Sequence, residues 1–122
     1  MRIEAPEVLP MTNTTATTEQ YSTEKQSLQS LGRSHLPEAL ATAVDLLKVG
    51  DSLLHALGSI EQAAWADHMR VAVARADAFT VSALVYGELP HGSYTALDEH
   101  IREREAARCE LLQEKFGADW DK

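Results

Sequence analysis

An all-α fold is expected for this chain: an antiparallel helix hairpin followed by a C-terminal helix, packed as a small bundle and paired as a dimer. Three observations lead there. The composition is rich in alanine and charge, poor in aromatics (6%) and low in glycine, which favours closely packed helices. Two long stretches carry apolar residues at alternating spacings of four and three. No sustained period-two alternation bounded by turns competes with them.

The elements follow in chain order. Residues 1–16 read as a disordered arm, because Pro6 and Pro10 break helices and the Asn/Thr cluster from Thr12 to Thr15 has no apolar period. Residues 17–122 read as one helical domain, since 122 residues give room for a single core. From about Thr18 a short, mostly polar helix is expected, with Tyr21, Leu28 and Leu31 on one narrow stripe and Gly32 as its stop. Such a helix is rarely stable alone and must dock on something.

The first strong helix starts at Pro37, whose missing N–H would be unpaired at that position anyway. Leu36, Leu40, Ala43, Leu47, Gly50, Leu54 and Leu57 form a heptad-like row that ends at Gly58. Gly50 inside it implies a close crossing or a local bend, because glycine costs roughly 1 kcal/mol in mid-helix relative to alanine. Ser59 followed by Gln62 is a capping-box pattern, so a second helix is expected to begin at once and close an αα-hairpin at Gly58-Ser59. Its row is Trp65, Met69, Ala72, Ala76, Phe79, Ala83 and Tyr86, with a stop at Gly87. Ile60, Val71, Val73, Val81 and Val85 lie on its other sides. After a turn at Glu88–Ser93, Thr95 with Asp98 is expected to cap a third helix that ends near Phe116 with Gly117 as its C-cap. Leu97, Ile101, Leu112 and Phe116 mark its apolar stripe, interrupted by Glu105 and Arg108.

Charge and missing chemistry narrow the function. The net charge is −8, and no segment is net basic: residues 1–33 carry three basic and four acidic side chains, 34–87 three and six, 88–122 five and nine. Nucleic-acid binding needs clustered Lys and Arg. The segment Tyr86–Ile101 has a helix-turn-helix layout, but Asp98 and Glu99 stand at the leading end of the would-be recognition helix and repel phosphate. No apolar run approaches the roughly 18 residues of a membrane span. The stretch Met1–Ala16 carries Glu4 and Glu7 and lacks the apolar core of a secretory signal. The lone Cys109 fits a reducing compartment, and a cytoplasmic protein is expected.

No enzyme, cofactor or metal site is expected. No two of His35, His55, His68, His91 and His100 stand at the i,i+3 or i,i+4 spacing of helical metal ligands. Asp51 and His55 are four apart, which more often makes a surface pair than a ligand set. Glu88-x-x-His91 contains Pro90 in a turn, and a di-iron site needs that motif twice on helices. Ser52, Ser59 and Ser82 lack a glycine elbow, and Cys109 beside Arg108 reads as a bystander thiol.

Protein binding is left. A row of apolar residues is first of all the core of its own bundle. Here two long helices have apolar residues on more than one face, and one interrupted C-terminal helix supplies little cover, so a homodimer is expected. The least buried apolar set, and so the expected partner-binding surface, is Tyr21, Leu28 and Leu31 with Leu97, Ile101, Leu112 and Phe116.

The run Leu36–Pro90, with Gly58-Ser59 between two amphipathic helices, resembles the helical hairpin of the TraM-type antiactivators of bacterial quorum sensing. The size, acidity and alanine-rich style resemble the QslA type of antiactivator. The resemblance covers layout only and maps no family motif onto particular positions. It implies a negative regulator that sequesters a LuxR-type (LasR-like) transcriptional activator and blocks its dimerisation and DNA binding. The alternative is a structural or adaptor helical bundle, such as a phage or secretion-system chaperone.

Overall fold

A computed structural model describes residues 25–120; residues 1–16 of the expected arm, and Tyr21, lie outside the described residues. The molecule is all-α. Five helices follow one another: α1 within the described residues at 25–34, α2 Glu38–Asp45, α3 Gly50–Gln62, α4 Ala66–Val85 and α5 His91–Phe116. α3 packs most extensively on α4, and α5 lies against both, so a helical hairpin and a C-terminal helix form the bundle. The core is aliphatic. Val44, Leu53, Leu57, Ile60, Ala76, Leu97 and Ile101 are each at most 2% exposed.

Two helix boundaries differ from the sequence reading. The hairpin does not turn at Gly58-Ser59. α3 runs through both residues to Gln62, and the chain reverses over Ala63, Ala64 and Trp65. The Ser59 hydroxyl donates to the His55 carbonyl at 3.0 Å, one turn back within the helix, instead of capping a new one. Gly58 is there for packing. A Cβ at Gly58 would lie 1.9 Å from the Leu28 carbonyl oxygen, and one at Gly32 would lie 2.3 Å from that of Leu54 and 2.7 Å from the Gly58 nitrogen. The two glycines let the backbones of α1 and α3 touch. Gly32 is therefore a crossing point and not a stop, since α1 continues to residue 34. The polar first helix docks, as its composition requires.

The second difference is the break between α2 and α3 at Leu46–Val49, within what reads as one helix from Pro37. Gly50 is the reason: a Cβ there would meet the Val44 carbonyl oxygen at 2.4 Å. Of the two readings of Gly50, the bend is the one that occurs. Lys48 N–H at the break donates to the Glu88 carboxylate at 2.9 Å, which ties it to the α4–α5 connection.

The other ends are conventional. α4 stops before Gly87, which takes a φ of +76°, and the Glu88 and Leu89 amides both donate to the Ala83 carbonyl. α5 starts one turn earlier than Thr95. Pro90 precedes its first residue, and the Thr95 hydroxyl donates back to the His91 carbonyl at 3.1 Å. Gly117, with a φ of +93°, ends α5. Among the described residues no helix is long and apolar enough to cross a membrane.

Candidate functional site

The expected contact residues do not form one surface. Leu97 and Ile101 are 0% exposed and Leu112 is 2% exposed. Their stripe on α5 lies in the core, filling against α3 and α4, so the expectation that they are among the least buried apolar residues is corrected. Of the charges that seemed to interrupt it, Glu105 stands near Arg102 on the same helix and Arg108 reaches α3. Arg108, two turns beyond Ile101, donates from Nε to the Ala63 carbonyl at 2.9 Å and satisfies the C-terminal end of α3. Leu28 and Leu31 are half-buried in the α1 crossing. Of the described members of the set Phe116 alone is exposed, with the Lys115 ammonium 5.7 Å from its ring centroid.

The polar clusters are structural in geometry. Arg104 on α5 forks onto Glu61 on α3 at 2.7 and 2.8 Å, and His35 Nε2 stands 3.7 Å from the same carboxylate. The Arg104 guanidinium is held above its ordinary pKa, first by that hydrogen bond. His100 sits beneath, 6% exposed, with no hydrogen-bond partner at Nε2. Burial first, and then Arg104, hold its pKa below the ordinary value. Arg102 links Asp77 of α4 to α5 and stands near Asp98 and Glu105. Among the described residues no group of three His, Cys, Asp or Glu side chains is placed to hold a metal ion. Cys109 is half-buried against the core.

The unexplained feature is the outward face of α4. Val71, Ala74, Ala78, Val81 and Val85 recur at spacings of three and four, and every one is exposed. Val71 is 56%, Val81 45% and Val85 72% exposed, and Tyr86 at the end of the row is 77% exposed. From Ala74 to Tyr86 the row lines a shallow apolar groove with Asp77 and Ser82 beside it. The groove continues past Ser82 and Tyr86 into a cleft bounded by Lys48, Val49 and Glu88, beside Leu46 at 82% exposure. Scattered surface valines need no explanation, but a contiguous heptad-spaced row of them has the pattern with which helices pack on a neighbour. Alanines at its middle let another backbone come close.

This face was not in the expected contact set. Its signal was present in the sequence: Val71, Val81 and Val85 stand off the Met69–Ala72–Ala76–Ala83 row, which is the one the core buries. No protein-family model, no curated protein and no solved structure matches the chain.

Proposed function

We propose that this chain is a non-catalytic protein-binding regulator that acts through the outward face of α4. The single observation that carries the reading is the exposed row Val71–Ala74–Ala78–Val81–Val85, closed by Tyr86. An amphipathic helix presented on a rigid bundle lays such a row into an apolar groove or onto an apolar dimer surface of its target. Tyr86 supplies the aromatic anchor that such contacts commonly use. The specific form we propose is an antiactivator that sequesters a LuxR-type transcriptional activator on the activator's own dimer surface and blocks its DNA binding.

A second copy of the chain is the other occupant of the same face, and it gives the homodimer. Joining two such faces removes on the order of 1,000 Å² in total, the lower end of what specific interfaces bury. A dimer of that size is weak, so an activator with a larger apolar surface displaces it. Self-association and capture then compete for one face.

The test uses the full chain and a purified LuxR-type activator from its host. Light scattering on the chain alone at micromolar concentration should give about twice its 13.4 kDa mass. Adding the activator should convert both homodimers into a heterocomplex. Failure of every host LuxR-type activator to form a complex removes the antiactivator form and moves the adaptor bundle ahead. A dimer that persists in Val81→Lys removes the α4 face itself.

A further inference from the structure

A second site lies around the corner of α4 from the apolar row, where three helices meet. Ser52, His55 and Ala56 fall on one side of α3, Arg75 and Phe79 are one turn apart on α4, and Lys25 opens the described part of α1. Together they line a half-enclosed cavity of about 220 Å³. We propose that this cavity binds a small organic carboxylate, with Arg75, Lys25, His55 and Ser52 holding the oxyanion and Phe79 with Ala56 holding an apolar body.

Charge is the first argument. The chain carries −8 overall, with nineteen acidic residues against eleven basic ones. Against that background the cavity gathers Arg75, Lys25 and His55, and among the described residues no carboxylate lines it. Among the described residues neither Arg75 nor Lys25 makes an ion pair. The other described arginines are engaged: Arg33 holds Asp45, Arg70 holds Asp67, Arg102 holds Asp77, Arg104 holds Glu61, and Arg108 donates to the Ala63 carbonyl. Like charges brought together without an acid repel one another, and an anion between them removes that repulsion.

Donor chemistry is the second. A guanidinium presents a planar fork that matches both oxygens of a carboxylate, and an ammonium adds a point charge with free rotation. Burial, then Arg75, then Lys25 hold His55 below its ordinary pKa. Its ring is then the neutral donor that accompanies the two cations. The Ser52 hydroxyl donates as well, since nothing among the described residues accepts from it.

Size and wall set the ligand class. The volume is that of about seven waters. It is below the range of about 300–1,000 Å³ typical of drug-sized ligands, which favours a small ligand. The half-buried Phe79 ring and the buried Ala56 give one dry side, which favours a carboxylate on a flat apolar body over a bare inorganic anion.

The full chain is titrated with benzoate and, separately, with inorganic phosphate at constant ionic strength, read by backbone amide shifts of residues 52–56 and 75–79. Saturable benzoate binding, tighter than that of phosphate, is expected. Arg75→Gln should weaken it about ten-fold, the loss of one charge-assisted hydrogen bond. Arg70→Gln, an exposed arginine on the same helix outside the cavity, should leave it unchanged, and unchanged melting of both variants shows that they are folded. No saturable shift with benzoate overturns the proposal. Equal weakening by both variants also overturns it, because that is the mark of diffuse charge attraction. Phosphate binding more tightly than benzoate overturns the apolar half of the site.

Discussion

The two faces of α4 carry the same kind of pattern and meet opposite fates. Met69, Ala72, Ala76, Thr80 and Ala83 are each at most 3% exposed, whereas Val71, Val81 and Val85 on the other side are 45–72% exposed. Both faces mix larger side chains with alanine: Met69, Val73 and Thr80 with three alanines inward, Val71, Val81 and Val85 with Ala74 and Ala78 outward. Burial thus follows what the neighbours can reach and not hydrophobicity alone. Ala72, Ala76 and Ala83 lie inside, where α3 and α5 pack on α4. Val71, Val81 and Val85 lie outside because no described helix is left to cover them. A heptad-spaced row therefore announces that a helix will bury something, without saying against which molecule.

That contrast can be broken most sharply from the sealed side. Ile101→Asp places a carboxylate where exposure is 0%, and we expect a loss of about 5 kcal/mol or more, comparable with the whole stability of a domain of this size. Circular dichroism should show the helical signal gone at 25 °C. A folded Ile101→Asp variant would return α5's stripe to the list of surfaces.

Gly58→Val is next. Its side chain would need the space of the Leu28 backbone, 1.9 Å from the first added carbon. Overpacking of that kind costs about 3 kcal/mol, by forcing α1 off α3. Chemical denaturation should show the loss, and amide exchange should show residues 25–34 unprotected while α4 stays protected. A variant as stable as the parent would mean that the crossing is looser than described.

Glu61→Gln removes the acceptor for the fork of Arg104 and leaves a partly buried guanidinium with a weaker partner. About 1–3 kcal/mol is expected, read as a lowered denaturation midpoint. The effect should be smaller than at Gly58, since Arg104 keeps access to water.

Acid should weaken the sealed side gradually. His100 and His55 have lowered pKa values in the folded state, both led by burial, against an ordinary 6.5 unfolded. His100 is faced by Arg104, Glu103, Glu61 and His35; His55 by Arg75 and Lys25. Below 6.5 the unfolded state binds more protons than the native state. Stability is therefore full above about 6.5 and falls as pH drops towards the native values. Denaturation at pH 7 and pH 5 should show the loss, and His100→Leu should reduce it. An unchanged slope in that variant would place the effect elsewhere.

How much of this was legible in the sequence depends on the kind of signal. The helical class, the stops at Gly87 and Gly117 and the docking of the polar first helix were legible, because each rests on local backbone chemistry or on one helix's own composition. The hairpin's position was not. Ser59 and Gln62 satisfy the capping pattern, yet Gly58 is needed at a crossing 26 residues away from Gly32, and tertiary packing outweighs a cap worth about 1 kcal/mol. The burial expected of the α5 residues in the contact set was wrong for a related reason. Glu105 and Arg108 looked like interruptions that would leave Ile101 and Leu112 exposed, but long charged side chains reach past a buried stripe to find partners, as Arg108 does at Ala63. Val71, Val81 and Val85 were visible as apolar residues; that they form the outward row required knowing which row the core took.

On the open side the smallest folding effect accompanies the largest effect on association. Val81→Lys with Val85→Lys should change folding stability by no more than about 0.5 kcal/mol for each exposed site, because neither valine touches the core. The most direct measurement mixes a LuxR-type activator with the parent or with this double variant and follows mass by light scattering, with thermal melting of each chain alone as the control. The parent should split the activator dimer into a heterocomplex, while the equally stable double variant should leave that dimer whole. A double variant that melts with the parent and still splits the activator as well would contradict the role proposed for the α4 face.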